Sequence, residues 1–238
     1  GASDGIVRVD GTNELDYESA STCTVTVTST SDDGSTSTAD FTITLTDFDE
    51  FDVSTPSDTD SDSNSVSENV TNGASAEITA SASDSDGTNN GVTYGIASQT
   101  CTGAFTIAGS TGIVTVSDTS AIDYETATTC YVVVRATSAD GSTADTNFSI
   151  SVTDADEFDV GSVSDTDSDA NTLAEDVSNG ASAEITASAT DADGSTNTVT
   201  YAITAQSCSG AFAIDASTGA VTVADTSAID YEAGTTCT

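Results

Sequence analysis

Apolar and polar residues alternate along most of this chain with the two-residue period of a β-strand. In its middle third the pattern is clear in AEITASA from Ala76, VTYGI from Val92, FTI from Phe105, VTV from Val114, YVVVRA from Tyr131 and FSISV from Phe148. Turn formers separate the runs: Asn72-Gly73, Asn90-Gly91, GSTG from Gly109 and Asp140-Gly141. No segment carries a helical period, and Pro56 is the only proline. About seven short strands in roughly a hundred residues predict an antiparallel β-sandwich. Its expected core is Phe105, Ile107, Val114, Val116, Val132, Phe148, Ile150 and Val152.

The same pattern returns at an offset of 107 residues. Cys23, Cys130 and Cys237 keep that offset, as do Asp16, Asp123 and Asp230 within LDYE, IDYE and IDYE. NGASAEITASA recurs unchanged from Asn72 and from Asn179. A period of domain size predicts a tandem array. Residues 1–50 read as the C-terminal part of one unit, 51–157 as a complete unit and 158–238 as the N-terminal part of a third. Strand pattern gives way to acid at TDFDEFD from Thr46 and TDADEFD from Thr153, two short charged hinges that would be slack unless something ties them.

Charge narrows the partners. Forty acidic residues face two basic ones, Arg8 and Arg135, for a formal net charge of -38. That field excludes nucleic acid. Two carboxylates about 4 Å apart repel by about 1 kcal/mol in water and about 4 kcal/mol at an effective dielectric of 20. A compact array that clusters its acids therefore needs external cations; the plain alternative is a solvated acidic surface of the kind that salt-loving organisms use. No apolar stretch is long enough for a membrane span.

Cys101 and Cys130 stand 29 residues apart, and so do Cys208 and Cys237. Two disulfides and an oxidising compartment are expected, against the alternative of free buried thiols. The same spacing places the partner of Cys23 ahead of Gly1.

The acidic motifs carry a family resemblance. SEN at Ser67 to Asn69, LDYE at Leu15, IDYE at Ile122, DFDEF at Asp47, DADEF at Asp154, DSDG at Asp84 and DADG at Asp191 recur in order and in register. In this the units resemble cadherin-like repeats, in particular those of large bacterial extracellular adhesins and surface fibres. The resemblance implies an all-β fold of tandem antiparallel Greek-key sandwiches in an elongated array, with calcium (Ca2+) at each junction. Carried over, the first junction would use Asp16, Glu18, Asp47, Asp49, Glu50, Asp84, Asp86 and Asp140. The second would use Glu68, Asp123, Glu125, Asp154, Asp156, Glu157, Asp191 and Asp193. Calcium takes six to eight oxygens, which carboxylates from two units and their linker supply together. Several positions depart from the family: Tyr17, Tyr124 and Tyr231 replace its Arg, Phe51 and Phe158 stand where an Asn would bind, and Asp140 falls two residues late. DTDSDSN from Asp58 and DTDSDAN from Asp165 look like EF-hand loops but lack the Gly at the sharp turn and the closing Glu. They read as segments leading into a strand.

An extracellular, calcium-stiffened filament or rod is the expected function. The alternative is the stalk of a bacterial cell-surface adhesin in calcium-dependent adhesion or biofilm formation, and a third reading is a halophile surface protein indifferent to chelator. The expected partners are copies of the chain or further repeats of a longer one, head to tail. Covalent continuation is favoured, because exchange between copies would displace a duplicated stretch. An enzyme is not expected: there is no His or Lys and no nucleophile motif. Asn69-Val70-Thr71 and Asn147-Phe148-Ser149 are glycosylation sequons, so glycans are possible partners there.

Overall fold

The computed structural model describes residues 5–11, 15–234 and 236–238. It divides into two compact units, one ending at Thr153 and one beginning at Asp154. The first opens with an antiparallel hairpin, β1 (Thr22–Thr30) and β2 (Thr36–Thr44), in register from Thr22 opposite Thr44 to Thr30 opposite Thr36. Eight strands follow: β3 (Ser57–Asp58), β4 (Ser65–Ser67), β5 (Ser75–Ser81), β6 (Val92–Gln99), β7 (Phe105–Ile107), β8 (Ile113–Val116), β9 (Thr129–Ser138) and β10 (Thr143–Thr153). They form two sheets, ordered β4-β10-β9-β6 and β3-β5-β8-β7.

Each strand that the alternation predicts is present. The pairing is antiparallel except where β4 lies parallel to β10. Among the described residues, helical geometry is limited to single 3-10 turns such as Thr119–Ala121, where the Asp118 side chain accepts from the Ser120 N–H.

The inward faces of both sheets share one core. Ile78, Val114, Val132, Val134 and Ile150 are fully buried in it, with Phe105, Val116, Phe148 and Val152 close behind. Ile107, expected in the core, is only partly buried and packs against its margin. Val66, Ile78, Ile122 and Val134 are core residues that the sequence reading did not single out. Strand β5 carries a bulge: Glu77 sits at φ 55° and the register to β8 shifts between Ser75 and Thr79. Opposite it Gly112 has φ +72°, and a Cβ there would meet the Ala80 carbonyl oxygen at 2.0 Å. Only glycine allows that approach.

A disulfide joins Cys101 to Cys130, tying the segment after β6 to the start of β9. The second unit repeats the plan with β11 (Ser164–Asp165), β12 (Ser182–Ser188), β13 (Phe212–Ile214) and β14 (Ala220–Val223) in one sheet, ordered β11-β12-β14-β13. Cys208 bonds Cys237 there. Cys23 is unbonded. No helix among the described residues is long and apolar enough to cross a membrane.

Removing the Ile150 side chain leaves a cavity between both sheets. Ile150→Ala is expected to cost about 2–5 kcal/mol, read as a lower urea midpoint with an unchanged slope.

Candidate metal centre

Between β2 and β3 the acidic segment has no regular structure, yet it is not slack. The backbone N–H groups of Glu50 and Phe51 donate to Asp86 Oδ1 at 3.2 and 3.3 Å. Val53 N donates to Ser142 Oγ at 2.9 Å, and Ser54 N to the Ser83 carbonyl at 2.8 Å. Asp86 is thus buried, 2 % exposed, with one oxygen holding the linker.

Around it the carboxylates gather. Oxygens of Glu18, Asp47 and Glu50 lie within 4.8 Å of one another, and so do oxygens of Asp49, Asp86 and Asp140. The turn before the hairpin, the linker and the complete sandwich each contribute. Glu18 is oriented by the Gly87 N–H, which donates to its Oε1 at 2.9 Å. Asp140 accepts from Ser142 N at 2.6 Å. Asp84 Oδ1 accepts from Asp86 N at 3.1 Å. Asp16, by contrast, turns both oxygens to Ser19, accepting from its N–H at 3.0 Å and its hydroxyl at 2.7 Å.

Three oxygens in this cluster are buried and accept no hydrogen bond: Asp47 Oδ1, Asp84 Oδ2 and Asp86 Oδ2. A buried carboxylate oxygen without a partner is costly. An all-oxygen donor set with oxygens left unpaired suits a hard divalent cation such as calcium. The electrostatics agree. Lost hydration first, then the fields of Asp140, Asp86 and Asp84, raise the Asp49 carboxyl above its ordinary value. Lost hydration and the charges of Glu18, Asp86, Asp47 and Asp16 do the same to Glu50. The Ser138 hydroxyl and the Asp86 N–H hold Asp84 below its ordinary value.

The second unit repeats this arrangement within itself. Glu157 N and Phe158 N donate to Asp193 Oδ1 at 3.1 and 3.2 Å, and Asp193 N to Asp191 Oδ1 at 3.2 Å. Asp154 Oδ1 and Asp193 Oδ2 are buried without partners. The field of Asp193 leads in raising Asp156 above its ordinary value. In the first unit, Glu68, Asp123 and Glu125 form their own cluster within 4.8 Å. Glu68 is buried, and its Oε2 accepts from Tyr124 N at 2.7 Å.

Several participants escaped the sequence reading. The Thr88 hydroxyl donates to Asp47 and that of Ser195 to Asp154. Asn90 Nδ2 donates to the Asp86 carbonyl at 2.7 Å. Gly87 faces Tyr17: a Cβ on it would stand 2.6 Å from the ring and 2.9 Å from Glu18 Oε1. The tyrosine that replaces the family's Arg therefore has a place, against a backbone kept bare; the glycine of DSDG was the available signal. The EF-hand-like run does lead into a strand. Asp58 Oδ1 accepts from Asp60 N and Thr79 N, each at 3.0 Å, and Asp60 Oδ1 from Asp62 N at 2.9 Å. Asp60, Asp62 and Glu77 also come within 4.8 Å. Both sequon asparagines, Asn69 and Asn147, are exposed.

Residues 62–153 match the family described as Cadherin domain. The repeat unit is cadherin-like. Solved cadherin ectodomains share the fold across most of the chain. Protocadherin gamma B7 domains EC3–6, a cis-dimer structure, superposes with a TM-score of 0.67 at 20 % identity, covering 89 % of this chain and 52 % of that one. Protocadherin gamma B2 domains 1–5 gives 0.70 at 23 %, covering 92 % and 41 %. Mouse protocadherin-24 EC1–3 gives 0.65 at 23 %, covering 92 % and 70 %. The chain spans about half the length of the first of these cadherin structures. No curated protein matches the sequence.

Asp49 and Glu50 keep their protons to higher pH folded than unfolded. Their contribution to stability is thus present below the ordinary carboxylate range and lost as pH rises through their folded values. In chelator at pH 7, Asp49→Asn is expected to melt above the parent, with the gap closing toward about pH 4. With calcium in excess the order reverses. Thermal scans at both pH values, with and without the ion, check the sign.

Gly87→Val is expected to displace Tyr17 and Glu18. The variant should lose protection from hydrogen exchange at residues 15–20 while the sandwich core keeps its own.

Proposed function

We propose that this protein is part of an extracellular structural rod or filament, built from tandem cadherin-like repeats whose junctions calcium stiffens. The observation that carries this reading is the set of buried, unpartnered oxygens on Asp47, Asp84 and Asp86, where the turn at Glu18, the linker and the sandwich meet. Asp47, Asp49 and Glu50 from the linker, Glu18 from the leading unit, and Asp84, Asp86 and Asp140 from the following one are the residues that would hold the ion. Bound there, calcium supplies the positive charge that these carboxylates lack. The chain's own part is orientation: Gly87 aims Glu18, Ser142 aims Asp140, and Asp86 fixes the linker through two amides.

The recurrence of the set at Asp154, Asp156, Glu157, Asp191 and Asp193 supports one device used at each junction. Units held this way transmit orientation from one to the next, as a stalk or fibre requires. Exposed Asn69 and Asn147 are the positions proposed for glycans, and the two disulfides suit an oxidising exterior.

Calcium is expected to bind with dissociation constants of about 0.1–1 mM, the range of extracellular modules. Asp86→Asn should weaken the site at least about tenfold. Titration calorimetry measures this, and small-angle scattering with and without chelator reads the stiffness. Heat-silent titrations with an unchanged scattering curve would leave the acids to solubility alone.

A further inference from the structure

Asparagine followed by glycine rearranges without an enzyme, because the glycine nitrogen, with no side chain beside it, can reach the asparagine side-chain carbon. Three such pairs occur: Asn72-Gly73, Asn90-Gly91 and Asn179-Gly180. Each asparagine is exposed, so neither residue type nor access to water separates them. Hydrogen bonding does. Gly73 N donates to the Val116 carbonyl at 2.7 Å, and Asn72 Oδ1 accepts from Thr119 N at 3.1 Å. Gly180 N and Asn179 Oδ1 are held in the same way, by the Val223 carbonyl at 2.7 Å and by Thr226 N at 2.9 Å. In both pairs the attacking nitrogen is fixed to a strand, β8 or β14, and the side-chain carbonyl to the 3-10 turn beyond it.

Asn90-Gly91 is built differently. Residues 87–91 lie outside regular structure, between Asp86 and the start of β6, with Asn89 at φ 56°. Among the described residues the Gly91 N–H has no acceptor and Asn90 Oδ1 no donor; the pair is touched by one hydrogen bond, from Asn90 Nδ2 to the Asp86 carbonyl at 2.7 Å. Attacking nitrogen and attacked carbon are therefore both open. At the 107-residue offset stands Asn197-Thr198, where a β-branched side chain crowds the same nitrogen. The reactive pair is a property of the complete unit and not of the repeat.

We propose that Asn90-Gly91 is a self-modifying site, at which the folded chain converts Asn90 to aspartate or isoaspartate and thereby loosens the linker that Asp86 holds. The Gly91 nitrogen gives its proton to hydroxide and bonds to Asn90 Cγ. The Cγ–Nδ2 bond breaks, and Nδ2 leaves as ammonia with a proton from water, which restores the hydroxide. A second water then opens the cyclic imide at one of its two carbonyl–nitrogen bonds. Opening at Cγ gives aspartate; opening at the main-chain carbonyl gives isoaspartate, whose backbone runs through the former side chain. Water is the one co-reactant. Either product lacks the Nδ2 donor and sets a negative charge beside the Asp86 carbonyl. Asp86 Oδ1 receives the Glu50 and Phe51 amides, so the loss passes to the linker. The site dates each copy of the chain, with the linker tied when new and slack when old. The inference rests on these hydrogen bonds and not on calcium.

The test incubates the full chain, folded, in chelator at mildly alkaline pH. Peptide mapping follows the conversion of amide to acid at the three pairs, and an isoaspartate-specific methyltransferase reads the isomer. Asn90 is expected to convert at least about tenfold faster than Asn72 and Asn179 in the folded chain, and all three at similar rates in urea, where the protecting hydrogen bonds are gone. Gly91→Ala should slow Asn90 severalfold with the fold unchanged, since the added Cβ would stand 4.0 Å from that of Ala139, an ordinary contact. Hydrogen exchange reads the consequence: the Glu50 and Phe51 amides should lose protection in the aged chain and in Asn90→Asp, while β9 keeps its own, and an aged Gly91→Ala chain should keep both. Folded-state rates that are equal at the three pairs, or slower at Asn90, overturn the self-modifying site. Unchanged exchange at Glu50 and Phe51 in the aged and Asn90→Asp chains overturns its effect on the linker. Because chelator is present throughout, failure here leaves the calcium reading untouched, and failure of calcium binding leaves this one untouched.

Discussion

Carboxylates held close together without a counter-charge set the terms for this chain. Asp49 and Glu50 are raised above their ordinary values by lost hydration and by neighbours of the same sign. A chain under no other constraint would let the linker swing away and spread the charge. Here the backbone prevents it, because the amides of Glu50 and Phe51 are hydrogen-bonded to Asp86. The sandwich supplies the force that keeps Asp86 in place, since Asp86 follows β5 on a scaffold closed by one shared core. Core burial thus sustains an electrostatic strain at the unit's end, and the strain is what gives a cation something to relieve.

Much of the fold was legible because it rests on local rules. The alternation in YVVVRA and FSISV fixes which side of β9 and β10 is buried, and the cysteine spacing points to the bond from Cys101 to Cys130. Long-range pairing was less visible. That β4 runs parallel to β10 depends on a strand of three residues, too short for any period to declare itself. The bulge at Glu77 was hidden for another reason: a non-glycine residue at positive φ has no composition signal, and the glycine that accommodates the close approach, Gly112, lies in the turn just before β8.

The acidic cluster was readable from motif order, and its wiring was not. Asp140 looked displaced by two residues, yet its carboxylate meets those of Asp49 and Asp86, while Ser138 occupies the earlier position and donates to the Asn89 carbonyl at 3.1 Å. A turn, closed by the Gly141 N–H donating to the Ser138 carbonyl at 3.1 Å, separates the two positions. Thr88, Asn90 and Ser195 were invisible because hydroxyls and amides are abundant in this sequence, and only placement distinguishes a structural partner from a solvated one.

The single ion pair seen between β9 and β10 has an outcome far from calcium. Arg135 forks onto Asp145 with contacts of 2.8 and 2.7 Å, in the middle of a strand hydrogen-bonded to neighbours on both sides. Arg135 is one of only two residues after which a protease of basic specificity can cut. Cleavage there requires β9 to leave the centre of its sheet, a large opening of the unit and not a loop fluctuation. In surroundings rich in such enzymes, the durability of this segment is set by how often the whole sandwich opens.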